Sequence, residues 1–105
     1  MSDCIFCKII KKNIPADILH EDKNLIVFKD IKPSAPIHYL IVPKEHIESI
    51  NNLNDGKIIS EMFLTAKKIA DKLGIKNSGY RLIINVGEGG GQIVKHLHLH
   101  ILGGW

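Results

Sequence analysis

The chain has 105 residues, 45% of them apolar, with a net charge of +3 at pH 7. That is long enough for one core and too short for two, so a single domain over residues 1–105 is expected. No stretch approaches the roughly 18 apolar residues of a membrane span. The start Met1-Ser2-Asp3-Cys4 also lacks the basic segment and long apolar run of an export signal, so a soluble, cytoplasmic protein is expected. The positive charge is dispersed in small lysine groups such as Lys8, Lys11, Lys12 and Lys67, Lys68, Lys72. With one Trp, two Tyr and three Phe in the chain, these groups do not form the basic, aromatic-interleaved stripe of a nucleic-acid surface.

In chain order, the first motif is Cys4-Ile5-Phe6-Cys7. Its spacing serves zinc or dithiol redox chemistry; alternatively, both cysteines are small reduced hydrophobes. Redox is the weaker choice, because a thioredoxin-like site follows a strand and opens a long helix. Ile5, Phe6, Ile9 and Ile10 recur at helical spacing and predict a short helix that stops before Pro15. Leu25–Phe28 and Ile37–Val42 are β-branched and aromatic runs separated by a loop carrying Pro33 and Pro36, and they read as adjacent antiparallel strands.

From about Asp55 to Leu73, apolar residues recur at Ile58, Ile59, Met62, Phe63, Ala66, Ile69, Ala70 and Leu73. They predict one long amphipathic helix ended by Gly74, with Met62 and Phe63 packed in the core. Tyr80–Val86 reads as a further strand, followed by Gly87-Glu88-Gly89-Gly90-Gly91-Gln92. These glycines make either a flexible connection or a cradle of backbone N–H groups for an anion. The expected fold class is α+β, an antiparallel β-sheet of about five strands with one long helix on one face and a short N-terminal helix.

The run Lys95–Leu102 alternates imidazole with aliphatic, placing His96, His98 and His100 on one face of a strand and Leu97, Leu99 and Ile101 on the other. Three imidazoles in register can hold a metal, pass protons or attack an electrophile.

The segment Gly91–Gly104, with its His-x-His-x-His core, resembles the signature of the histidine triad (HIT) family. Asp30-Ile31, Pro33-x-Ala35-Pro36-x-His38-x-Leu40, Pro43-Lys44-x-His46 and Tyr80-Arg81 through Asn85 extend the resemblance over nearly the whole chain, toward the histidine triad nucleotide-binding (Hint) branch. The resemblance implies a HIT-like homodimer that cleaves a substituent from the α-phosphate of a purine nucleoside monophosphate, such as AMP or GMP, through a nucleotidyl-histidine. His98 then resembles the nucleophile, and His100 the group that contacts the phosphate and protonates the leaving group. His96 and His38 are supporting members.

The same resemblance places Ile5, Phe6, Ile9, Phe28 and Ile31 around the base and Asp30 on the ribose, with Asn85, Gly91 and Gln92 as phosphate donors. It also completes a structural zinc site from Cys4, Cys7, His46 and His96. No catalytic metal is expected, since imidazolium and backbone dipoles can carry the charge at phosphorus. One departure is Ile93, which stands where many Hint members carry a serine. Phosphoramidase activity on AMP-amines is the first expectation. Dinucleoside polyphosphate hydrolysis, or a nucleotide-binding interaction module with incidental hydrolysis, are the alternatives.

Overall fold

The computed structural model describes residues 3–105. Helix α1 (Ile5–Ile10) starts where the Cys4 thiol sulfur accepts the backbone N–H of Cys7 at 3.4 Å, which caps the first turn. It buries Phe6, Cys7 and Ile9 and ends before Lys12, whose φ of 63° no helix continues. Strand β1 (Ile18–Glu21) turns into β2 (Leu25–Lys29) around Asp22, whose carboxylate accepts the N–H groups of Asn24 and Leu25, both at 2.9 Å. Strand β3 (Ile37–Pro43), helix α2 (Lys57–Lys72), β4 (Tyr80–Ile83) and β5 (Leu99–Gly103) follow.

The strands form one antiparallel sheet in the order β1-β2-β3-β5-β4. Alternation along each strand sorts the sheet's two faces. Leu25, Val27, Ile41, Leu99 and Ile101 meet Met62, Ala66, Ile69 and Ala70 of α2 to form the larger core cluster. On the opposite face, Ile26, Phe28, Leu40 and Val42 pack against Phe6 and Ile9 of α1. His38 pairs across the ladder with Leu102, and Leu40 with His100, so both histidines lie on the α1 face.

The fold class and the two helices agree with the sequence reading, and Gly74 ends α2 at a left-handed φ of 75°. Four details differ. Strand β1 was not expected. Strand β4 stops at Ile83, three residues before Val86. The histidine strand begins only at Leu99, so His96 lies in a bend and His98 in the irregular stretch leading into β5, where the N–H of Leu97 bonds the carbonyl of Ile47 at 2.7 Å. The side chains still alternate: Leu97 joins the α2-side cluster, while His96 and His98 face Phe6 of α1. Finally, Met62 is fully buried but Phe63 is 40% exposed, since it lies at the edge of the helix stripe rather than over the sheet.

Among the described residues, no helix is long and apolar enough to cross a membrane.

Candidate active site and metal centre

Two groups of histidines form on the α1 face, joined at Phe6. Its ring lies edge-on to Phe28, His96 and His98, with centroids at 5.5, 5.8 and 5.0 Å.

The first group is Cys4, Cys7, His46 and His96, whose ligand atoms all lie within 4.8 Å of one another. Cys4 Sγ is 3.4 Å from His96 Nδ1, and Cys7 Sγ is 3.2 Å from His46 Nδ1 and 3.7 Å from His96 Nδ1. A tetrahedral ion with Zn–N and Zn–S bonds of about 2.0–2.3 Å has ligand–ligand edges of roughly 3.3–3.8 Å, which these spacings match. His96 is fully buried, and its Nε2–H donates to the carbonyl of Pro43 at 2.8 Å. That bond fixes the tautomer and leaves the Nδ1 lone pair facing the sulfurs, the outer-sphere arrangement a metal-binding imidazole requires. Burial pushes the His96 pKa down to about 4, and burial, helped by Cys4, pushes the Cys7 thiol up. The histidine is therefore already neutral for ligation, and a cation would supply the charge that a thiolate needs.

The second group is His38, His98 and His100 with Asp30. Its proton positions follow from one backbone amide. The N–H of Ser34 donates to His38 Nδ1 at 3.0 Å, so the proton of neutral His38 sits on Nε2. His38 Nε2–H then donates to His100 Nδ1 at 2.9 Å, which leaves the His100 proton on Nε2. His100 Nε2 is buried without a hydrogen-bond partner. An unsatisfied buried donor costs about 1–3 kcal/mol, so this atom awaits an acceptor. His98 is held the opposite way round. Its Nδ1–H donates to the carbonyl of His96 at 2.6 Å, so its Nε2 keeps a lone pair. The two rings are adjacent, with centroids 4.9 Å apart.

Burial lowers the pKa of all three histidines of this group, that of His100 to about 4, and so keeps them neutral near pH 7. Asp30 opposes the shift at His38, its Oδ2 lying 3.5 Å from His38 Nε2. Asp30, His38 and His100 are also close enough to be read as metal ligands. The Ser34 amide argues against that: with Nδ1 of His38 accepting, Nε2 carries hydrogen and has no lone pair for a cation.

The expected base contacts come together. Ile5, Phe6, Ile9, Phe28, Asp30 and Ile31 share a cavity of about 350 Å³, which Ile14, Pro15, Ala16, Asp17, Lys29 and Leu40 also line. Ile14, Pro15 and Ala16 were not foreseen, because a loop that folds back over a strand has no sequence period. Phe6, Ile9 and Phe28 are buried, whereas Ile5 and Ile31 are exposed at the rim. Asp30 Oδ1 accepts the N–H of Lys32 at 2.8 Å. Asn85, His38 and His100 line a second cavity.

The glycine loop is a correction. The N–H of Gly91 donates to Glu88 O, and that of Gln92 to Gly87 O, each at 3.0 Å. The Gln92 side chain accepts from Gly87 N and donates to the carbonyls of Glu48 and Val94. The backbone N–H groups of Gly91 and Gln92, expected to be free phosphate donors, close the loop on itself instead. Gln92 clamps it, and Gly91 supplies the left-handed φ of 85° that the closure needs.

A small antiparallel sheet whose inner strand delivers paired imidazoles to one face, over an apolar cavity, defines a class, and comparison with known proteins identifies it. Residues 3–104 match the family model described as "Scavenger mRNA decapping enzyme C-term binding". The chain is 49% identical over 102 residues to an uncharacterized HIT-like protein of Buchnera aphidicola, covering 95% of this chain and 90% of that protein. A HIT family hydrolase of Legionella pneumophila superposes with a TM-score of 0.95 at 50% identity, covering 98% of this chain and 94% of that one. A histidine triad nucleotide-binding protein of Candida albicans superposes with a TM-score of 0.88 at 34% identity, covering 98% and 82%. The chain belongs to the histidine triad (HIT) family.

Proposed function

We propose that the protein is a nucleotide hydrolase of the Hint type, a purine nucleoside phosphoramidase that cleaves the P–N bond of an AMP- or GMP-amine through nucleotidyl-His98. The observation that carries this reading is the opposed tautomers of two adjacent rings: His98 offers a lone pair at Nε2 and His100 an unpartnered proton at Nε2. A nucleophile beside a preorganised hydrogen-bond donor is what displacement at phosphorus requires. A hydrolase and a nucleotide-binding protein among the similar structures support it.

In the first step His98 Nε2 forms a bond to the α-phosphorus while the P–N bond breaks. The departing amine takes its proton from water, while His100 Nε2–H, neutral and unpartnered, donates a hydrogen bond to a phosphoryl oxygen and stabilises the charge developing there. The nucleotidylated His98 ring is cationic, and the carbonyl of His96, accepting its Nδ1–H at 2.6 Å, stabilises that charge. In the second step water attacks phosphorus and releases a proton to solvent, replacing the one taken up by the amine, and the P–Nε2 bond breaks to release the nucleoside monophosphate. The base occupies the cavity under Ile5, Phe6, Ile9, Phe28 and Ile31, with Asp30 on the ribose hydroxyls and Asn85 toward the phosphate.

In this reading zinc is held by Cys4, Cys7, His46 and His96 and is structural. It ties α1 to the segment before β5 and so fixes the His96 carbonyl that orients the nucleophile. The free outer edge of β4 and the exposed Phe63 and Leu64 on α2 suit the homodimer implied by the resemblance.

The test is turnover of an adenosine phosphoramidate and of a diadenosine polyphosphate by the parent and by His98→Asn, together with AMP binding by calorimetry. The expected result is faster cleavage of the phosphoramidate, lost in His98→Asn while AMP still binds. Full turnover by the variant would remove the nucleophile. AMP binding with no turnover in the parent would leave a binding module.

A further inference from the structure

The cavity on the other side of the His38–His100 pair from the base pocket has about 310 Å³ of space. Ser34, His38, Arg81, Ile83, Asn85, His100, Leu102 and Trp105 line it. The ladder explains how these residues meet. Arg81 pairs with Leu102, which pairs with His38, so the three form one row across β4, β5 and β3 on the α1 face. Ile83, His100 and Leu40 form the next row. Arg81 is thus the diagonal neighbour of His100, about 7–8 Å away along the sheet and within reach of a long side chain.

Arg81 has no carboxylate partner among the described residues, and no acidic side chain lines the cavity. Trp105, 66% exposed, adds a large aromatic wall beside Ile83 and Leu102. His100, whose Nε2–H is buried and unpartnered, lines this cavity, and its ring is adjacent to that of His98. A phosphate accepting that proton, with its nucleoside in the 350 Å³ cavity, would extend its departing group toward Arg81 and Trp105.

Resting on the hydrolase reading above, we infer that this cavity is the leaving-group subsite and that Arg81 selects departing groups that carry an anion on an apolar or planar body. A guanidinium takes a carboxylate or phosphate in paired, charge-assisted hydrogen bonds, and the indole covers the remainder of the group. The anion has two chemical sources. It is the carboxylate of an amino acid joined through its nitrogen to the α-phosphate, or the further phosphate of a dinucleotide.

The experiment measures binding first, so that it does not depend on turnover. Calorimetry on His98→Asn uses AMP linked through nitrogen to tryptophan, to tryptamine, which lacks only the carboxylate, and a diadenosine polyphosphate. The tryptophan conjugate should bind about tenfold more tightly than the tryptamine conjugate, in line with one charge-assisted, bidentate pair. Adding Arg81→Gln should collapse that ratio toward one, and Arg81→Lys should restore part of it. Trp105→Ala should weaken both conjugates and leave the ratio standing. If Arg81→Gln weakens only the dinucleotide, the anion recognised is a phosphate. A ratio near one, together with dinucleotide binding that is indifferent to Arg81→Gln, overturns the inference. If the ratio holds but the parent cleaves none of the three, the subsite stands and the hydrolase reading falls.

Discussion

The two histidine groups lie side by side on one sheet face and differ in where each ring's last nitrogen points. In the group at α1 the Nδ1 atoms of His46 and His96 both face cysteine sulfur, and His96 Nε2 is committed to Pro43, so the set closes on its own centre. In the group at His38 the chain of donors runs outward and ends at His100 Nε2, which has no partner. The backbone group that fixes an imidazole's tautomer decides whether its free nitrogen suits a metal or a reacting partner. The two groups meet at His96, whose ring faces the sulfurs and whose carbonyl holds His98.

The largest effect that would break this division is at His98. His98→Asn should cut kcat for an adenosine phosphoramidate by roughly a thousandfold or more while the protein keeps one zinc and still binds AMP, read by steady-state kinetics, metal analysis and calorimetry. Next in size is the closed group. Chelation or Cys4→Ser should remove stability linked to the metal. A loss of about 2 kcal/mol would lower the melting temperature by roughly 8–16 °C for a domain of this size. An unchanged melting curve with no bound zinc would leave the cysteines as reduced core residues.

A sharper test lies at Ser34, where only the backbone donates. Ser34→Ala keeps the N–H and should leave kcat within about twofold, whereas a proline there removes it. Ser34→Pro frees His38 to place its proton on Nδ1, and kcat should fall by about tenfold or more. Equal rates for the two variants would show that the amide does not set the proton chain. The smallest effect is in pH. His100 binds a proton near the ordinary imidazole value of 6.5 when unfolded and only near 4 when folded. Between those values the unfolded state holds more protons. The stability that His100 contributes is therefore present above 6.5 and is lost as pH falls toward 4. Urea midpoints at pH 7 and pH 5 should show this drop, and His100→Asn should reduce it.

Much of the fold was legible because the apolar residues keep strict periods, 3.6 along α2 and 2 through Leu97, Leu99 and Ile101. Strand β1 was not, because four residues of mixed polarity at a sheet edge carry no such period. The cluster of Cys4, Cys7, His46 and His96 was visible through family resemblance, whereas the resemblance set His96 beside His38, His98 and His100 and kept Asp30 for the ribose; which contacts each makes is encoded by no spacing. The Ser34 amide reaches a side chain four positions on, and His38 meets His100 across 62 residues, through the register of β3 and β5. Arg81 and Trp105 were passed over for the same reason. Their cavity exists only once β4 lies beside β5. The glycine loop's composition suits an anion cradle, but the N–H groups of Gly90, Gly91 and Gln92 bond the loop's own carbonyls and that of Gly87 the Gln92 side chain, contacts that composition does not reveal.

Native mass spectrometry of the parent and of His98→Asn, quenched rapidly without acid after mixing with an adenosine phosphoramidate, reads both groups in one spectrum. The parent should carry one zinc per chain and a transient added mass of one AMP. The variant should keep the zinc and show no adduct. An adduct that persists in His98→Asn, or zinc that disappears with His98, would contradict the division of one sheet face into a closed metal centre and an open reactive pair.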